Sequence, residues 1–109
     1  MCGRFVLYHG EASLWEALEI TAMRPGLLPR FNIAPTQPVA VVLQEQERIL
    51  DSFKWGLIPF WAKDPKIGQR MINARAETIS EKPAFRAALK RRRCLIPASG
   101  YYEWQKTPD

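Results

Sequence analysis

The sequence predicts an α+β domain: a mainly antiparallel β-sheet or barrel with two short helices. Three observations lead there. Short strand-like apolar runs recur along most of the chain, and apolar residues take helical spacing in only two places. Nine prolines and six glycines punctuate those runs. Strands interrupted by isolated helices, with no repeating βα unit, favour an antiparallel sheet over a doubly wound one. At 109 residues the chain is one domain at most, and 47% hydrophobic residues supply a modest core.

The elements follow in order. "GRFVLY" reads as a first strand. A helix comes next, with Ser13 and Glu16 at capping-box spacing and Leu14, Trp15 and Leu18 on its apolar side. "RPGLLPR" ends it in a loop. "PVAVVLQ" and "RILDSFKWGL", separated by "EQE", read as an antiparallel hairpin. "IPFWAKDPKIG" is a punctuated surface loop carrying Phe60 and Trp61. "QRMINARAET" is expected to be a strand running into a turn. "EKPAFRAALKRR" reads as a second helix capped by Ser80, with Phe85, Ala88 and Leu89 at helical spacing. "RCLIPASG" and "YYEWQ" read as two more strands, with Trp104 in the core. No strand follows the last one, so its edge is expected to invite self-association. Residues 1–109 are therefore expected to be the first part of a larger fold.

Composition narrows the function classes. No apolar run approaches the roughly 18 residues of a membrane span. "CGRFVLYHGEAS" turns polar too soon for a signal peptide, so a reducing cytoplasm is the expected location. In that setting a Cys2–Cys94 disulfide is disfavoured. Two cysteines and one histidine at no ligand spacing give no basis for a metal or another cofactor. Sixteen Lys and Arg against eleven Asp and Glu leave a net charge of +5, which favours polyanions. The densest run, Lys90 to Arg93, reads mainly as a solvated helix end.

Cys2 is the first candidate for chemistry. Removal of Met1 would leave a thiol and a free α-amine on one two-carbon frame. Such amines titrate near about 8 and thiols near about 8.5, so each has a usable reactive fraction at neutral pH. The plainer reading is a small apolar residue leading into a strand. Asn73, Arg75 and Glu77 lie together in "INARAET". Glu103 falls among the aromatics of "GYYEW", a setting suited to general acid or base work. Taken singly, Asn73 could equally cap a turn and Glu103 pair with an arginine.

Taken together, "MCGRF", "FNIAPTQ", "WGLIPFWAKD", "INARAET" and "CLIPASGYYEW" resemble, in order and spacing, the SOS response-associated peptidase (SRAP) family. The resemblance covers all 109 residues and about the N-terminal half of the family's domain. It implies loss of Met1 and a covalent crosslink between Cys2 and abasic sites in single-stranded DNA, shielding the lesion. It implies that Asn73 positions the sugar and the N-terminus, and that Glu103 transfers protons. By the same resemblance Arg4 and Arg75 contact phosphates, Asn32 and Pro35 form a loop beside the cysteine, and Trp61 wedges against bases. A second tryptophan found beside it in some members is replaced by Ala62. Met1 removal is expected to use the Cys2 thiol as nucleophile. The family's catalytic histidine belongs to the half not present here. His9 matches no family site and reads as a surface residue. A thiol peptidase acting on other proteins, and a non-covalent nucleic-acid-binding or inactive module, are the rival readings.

Overall fold

The computed structural model describes residues 2–8, 11–24 and 30–108. Its longest regular feature is the hairpin of β4 (Pro38–Gln44) and β5 (Arg48–Lys54), paired from Pro38 opposite Lys54 to Gln44 opposite Arg48. β-Branched and aliphatic residues dominate β4, and Ile49 and Leu50 supply the buried positions of β5, which suits a half-buried pleated surface. Val39, Val41, Val42, Ile49 and Leu50 are buried. β2 (Ala22–Met23) joins β5 in parallel, giving the order β2-β5-β4. A second sheet, ordered β3-β1-β6, is antiparallel throughout and contains β1 (Phe5–Leu7), β3 (Arg30–Ile33) and β6 (Gly100–Tyr101).

One core serves both sheets. Phe5 and Ile33 from one sheet meet Val41 and Leu50 from the other and Leu14 from α1 (Glu11–Leu18). Each such side chain contributes about 1.5–3 kcal/mol when fully buried. Beyond Leu18, Glu19 takes a positive φ of 52°, and the Ile20 amide donates to the Trp15 carbonyl at 3.1 Å. That bond pattern is a Schellman ending, and the buried Ile20 supplies its usual apolar contact. Arg48 then donates to the Leu18 carbonyl at 3.0 Å, tying β5 to the helix end.

The parallel β2–β5 pair carries an ion pair. Arg24 lies 2.9 Å from Asp51 and 3.4 Å from Glu45. The Ser52 amide, then Arg24, hold the Asp51 carboxyl below the usual carboxylate range. The hydrogen bond to Asp51 raises Arg24 in turn.

The fold class and the hairpin follow the sequence, while several local expectations do not. α1 begins at Glu11, so Ser13 lies inside its first turn and does not cap it. The strong helix formers of "EASLWEAL" carry the helix upstream of the serine. His9 and most of "RPGLLPR" fall outside the described residues. "QRMINARAET" forms no strand, because its backbone bonds to a loop and to a side chain. α2 is confined to Arg86–Arg91, with Phe85 at its N-cap and Ser80 in the preceding turns. Pro83 disfavours helical backbone at Lys82, and residues 83–85 form a turn ahead of the helix. "RCLIPASG" contributes one isolated bridge, Val42 with Leu95, and its last residue, Gly100, to β6. "YYEWQ" contributes only Tyr101 to β6, and Trp104 is 96% exposed, not core. The loop after β5 contains a 3-10 helix, Pro65–Gln69, whose Lys66 amide donates to the Asp64 side chain at 3.0 Å.

Candidate functional site

Cys2 enters β1 from the rim of the core, half-buried against it. Its carbonyl accepts a hydrogen bond from Asn73 Nδ2 at 2.8 Å. Its thiol lies 3.8 Å from the Arg4 carbonyl. The antiparallel pairing of β1 with β3 sets Phe5 opposite Ile33 and so brings Arg4 beside Asn32. The Arg4 guanidinium donates to Asn32 Oδ1 at 3.0 Å. On the other side of β1, the Tyr102 amide donates to the Arg4 carbonyl at 3.0 Å, and the Tyr102 hydroxyl to the Phe31 carbonyl at 2.9 Å. These strands leave a cleft of about 370 Å³ lined by Gly3, Arg4, Tyr102, Glu103 and Trp104.

Asn73 reaches Cys2 because its segment is pinned from behind. Trp55 Nε1 donates to the Ile72 carbonyl at 3.0 Å, and the Leu57 amide to the Met71 carbonyl at 2.9 Å. The Trp55 ring packs edge-on against Phe5, with centroids 5.4 Å apart. One side chain therefore spans from β1, three residues beyond the cysteine, to the segment that holds the asparagine. Gly56 is needed for this approach. Its φ is +124°, and a Cβ there would sit 2.4 Å from the Gly68 carbonyl oxygen.

The remaining candidates are dispersed. Glu103 is exposed and lines the cleft. Arg75 is exposed two residues beyond Asn73, its carbonyl accepting from the Thr78 amide at 3.2 Å. Pro35 lies half-buried in the turn between β3 and β4, closed by the Gln37 amide on the Ala34 carbonyl at 3.3 Å. Trp61 is 50% exposed on the loop after β5. Neither Pro35 nor Trp61 lines the cleft beside Cys2. Desolvation of the sulfur pushes the Cys94 thiol up, although the residue as a whole is exposed. Both cysteines are free. Among the described residues no three of His, Cys, Asp and Glu converge as a metal would require. None of their helices is long and apolar enough to cross a membrane.

Sequence reasoning passed over Trp55 and Tyr102. The signal for Trp55 was an aromatic followed at once by glycine just past the end of β5, which marks a close backbone approach. Tyr102 looked like one more strand aromatic.

The chain matches the SOS response associated peptidase (SRAP) family over residues 1–109. It belongs to the SRAP family. The abasic site processing protein YoaM of Bacillus subtilis is 47% identical over 109 residues, spanning 97% of this chain and 48% of YoaM. The abasic site processing protein HMCES of Xenopus tropicalis is 36% identical over 91 residues, spanning 72% of this chain and 27% of HMCES. A crystal structure of a Bacteroides thetaiotaomicron protein superposes with a TM-score of 0.80 at 23% identity, covering 98% of this chain and 50% of that one. One from Bordetella bronchiseptica gives 0.74 at 22% identity, covering 94% and 50%. At those identities the superpositions speak to the fold alone. This SRAP chain spans about half the length of the Bacillus relative and about a quarter of the Xenopus one.

Proposed function

We propose that this SRAP chain reacts with abasic sites in single-stranded DNA through Cys2, once Met1 has been removed. The observation that carries the reading is the 2.8 Å hydrogen bond from Asn73 to the Cys2 carbonyl. It joins residues 71 positions apart in sequence and fixes the backbone of the residue whose amine and thiol must meet one carbon. The ring-opened sugar of an abasic site presents an aldehyde. The Cys2 amine adds to it and water leaves, giving an imine. The thiol sulfur then bonds to the imine carbon while its proton passes to the nitrogen, closing a five-membered thiazolidine. An internal cysteine lacks the amine and cannot complete this sequence. Glu103, in the cleft beside Gly3 and Arg4, is suited to relay the protons of ring opening and dehydration.

The name of the Bacillus relative, an abasic site processing protein, supports the substrate. The family's peptidase name fits removal of Met1 by the Cys2 thiol. Arg4, held by Asn32, and the exposed Arg75 supply cations for the flanking phosphates, with Pro35 shaping the neighbouring turn and Trp61 offering an aromatic face. On this reading residues 1–109 are the N-terminal part of one SRAP domain, and the family's histidine lies in the other part.

The test is a single-stranded oligonucleotide with one abasic site, incubated with the chain after mass spectrometry has established a mature Cys2. A heat-stable shifted band is expected, and Cys2→Ser should leave at most a reversible imine. A full-strength stable crosslink from Cys2→Ser sinks the reading.

A further inference from the structure

We propose that Tyr102 is a positioning residue for the chemistry at Cys2: its hydroxyl closes a hydrogen-bonded frame that sets Glu103 in a fixed relation to the cysteine. The inference rests on the Cys2 reading above and gives a role to a residue that reading leaves unused.

The frame can be followed bond by bond. The Arg4 carbonyl accepts from the Tyr102 amide at 3.0 Å. The Tyr102 hydroxyl donates to the Phe31 carbonyl at 2.9 Å, 71 positions away in sequence. Phe31 is joined by its peptide bond to Asn32, whose Oδ1 accepts from the Arg4 guanidinium at 3.0 Å. The path returns to Arg4, so the start of β1, the strand β3 and the segment after β6 form one closed circuit. Its Phe31 corner is anchored in turn. That ring stacks on Tyr8, with centroids 6.3 Å apart and planes 11° from parallel.

Both reacting parts hang from this circuit. The Cys2 thiol lies 3.8 Å from the same Arg4 carbonyl, within reach of a hydrogen bond from sulfur. Glu103 follows Tyr102 directly and lines the cleft with Gly3 and Arg4. The β1–β6 ladder ends with Phe5 opposite Tyr101, and the Tyr102 amide carries the pairing one step further, to Arg4. The direction in which the chain leaves β1, and with it the placement of Glu103, is therefore set at Tyr102.

The hydroxyl contributes little to stability where it stands. Tyr102 and Phe31 are both exposed, so water can replace either partner. Its effect on geometry is larger. A group that moves a proton must stay within hydrogen-bond reach of the reacting atoms, and a displacement of about 1 Å can cost far more rate than stability.

The test compares wild type with Tyr102→Phe, both with a mature Cys2. The variant keeps the ring and the backbone amide and removes the hydroxyl alone. With single-stranded DNA carrying one abasic site, the saturating crosslinking rate should fall about fivefold or more, while the DNA concentration giving half that rate stays within about twofold. Tyr101→Phe, its exposed neighbour, should leave both within about twofold. A second background separates positioning from general loosening. Added to Glu103→Gln, Tyr102→Phe should slow the reaction by less than about twofold, because a displaced carboxylate and a missing one have the same consequence. An unchanged rate in Tyr102→Phe overturns the proposal, and so does equal slowing in the two backgrounds. Glyoxylate, an aldehyde without DNA, distinguishes this inference from the abasic one. Its condensation with the mature N-terminus loses water and is read as a mass gain, and Tyr102→Phe should slow it as well. If the wild type crosslinks no abasic DNA, the glyoxylate comparison decides alone. A slower Tyr102→Phe then removes the DNA reading and leaves the role of Tyr102 standing, and equal rates overturn it.

Discussion

At the residue scale, the geometry around Cys2 assigns different jobs to its neighbours. Asn73 reaches the Cys2 carbonyl with a donor, and on the proposed function it acts on the position of Cys2 and not on the strand's affinity. Asn73→Ala should slow crosslinking at saturating abasic DNA while leaving binding of intact DNA within about twofold, since the phosphate contacts that dominate affinity are untouched. Equal losses in both measurements would mean that Asn73 contacts the strand itself. Arg4 and Arg75 should behave in the opposite way. Each Arg→Ala variant is expected to weaken binding evenly across base sequences and to lower the salt slope by about 1. A changed base preference would count against phosphate contact. Asn32→Ala should mimic Arg4→Ala in part, because Asn32 Oδ1 is what orients that guanidinium. Cys2, Asn73 and Glu103 could be picked from the sequence by residue type and setting, and Arg4 through the family resemblance. The contacts of Asn73 with Cys2 and of Arg4 with Asn32 could not be, since they depend on strand pairing and on the segment pinned by Trp55.

At the element scale, the segment carrying Asn73 is held by tertiary contacts and by no ladder. That is why "QRMINARAET" looked like a strand: its composition fits one, while its hydrogen bonds go to Trp55 and Leu57. The hairpin was legible because the apolar run of "PVAVVLQ" and the Ile49–Leu50 pair flank a short polar turn, so local and tertiary preferences agree. α2 was overread because Pro83 disfavours helical backbone at Lys82 and residues 83–85 form a turn ahead of the helix. The pinned segment yields a direct prediction. Trp55→Phe keeps an aromatic ring against Phe5 but removes the donor to the Ile72 carbonyl. It should cost about 1 kcal/mol of stability, as for a lost hydrogen bond, and slow crosslinking as Asn73→Ala does. An unchanged crosslinking rate would mean that the Asn73 segment holds its place without Trp55. The β2–β5 ion pair gives a pH prediction. The folded Asp51 carboxyl lies below its usual range, so its contribution is present above the unfolded value of about 3.9 and is lost as pH falls through the lower folded value. The stability gap between wild type and Asp51→Asn should therefore be full at neutral pH and shrink below about pH 4. A gap constant down to pH 2 would remove the ion pair from the account.

At the scale of the whole molecule, the surface is larger than the mass requires. A folded monomer of 12.6 kDa is expected to expose about 6,200 Å². This chain exposes 8498 Å². The difference of about 2,300 Å² is more than the roughly 800 Å² that one partner contributes to a standard protein interface. Large apolar side chains are exposed from position 95 onward: Leu95 is 59% exposed, Ile96 51%, Tyr101 68%, Tyr102 50% and Trp104 96%. Among the described residues, β6 stands at the end of its sheet with β1 on one side. An apolar edge of this kind pairs with another chain when concentration allows. Sedimentation should accordingly show concentration-dependent self-association, and Trp104→Ser should weaken it. Backbone amides across residues 94–105 should exchange quickly at low concentration and slow when the chain associates, or when the other half of an SRAP domain is added. Crosslinking should then rise in step with protection, because Glu103 and Tyr102 lie in the same segment as that edge. Slow exchange across 94–105 in a chain that stays monomeric would show instead that this surface is stable uncovered, and the argument from excess area would fall.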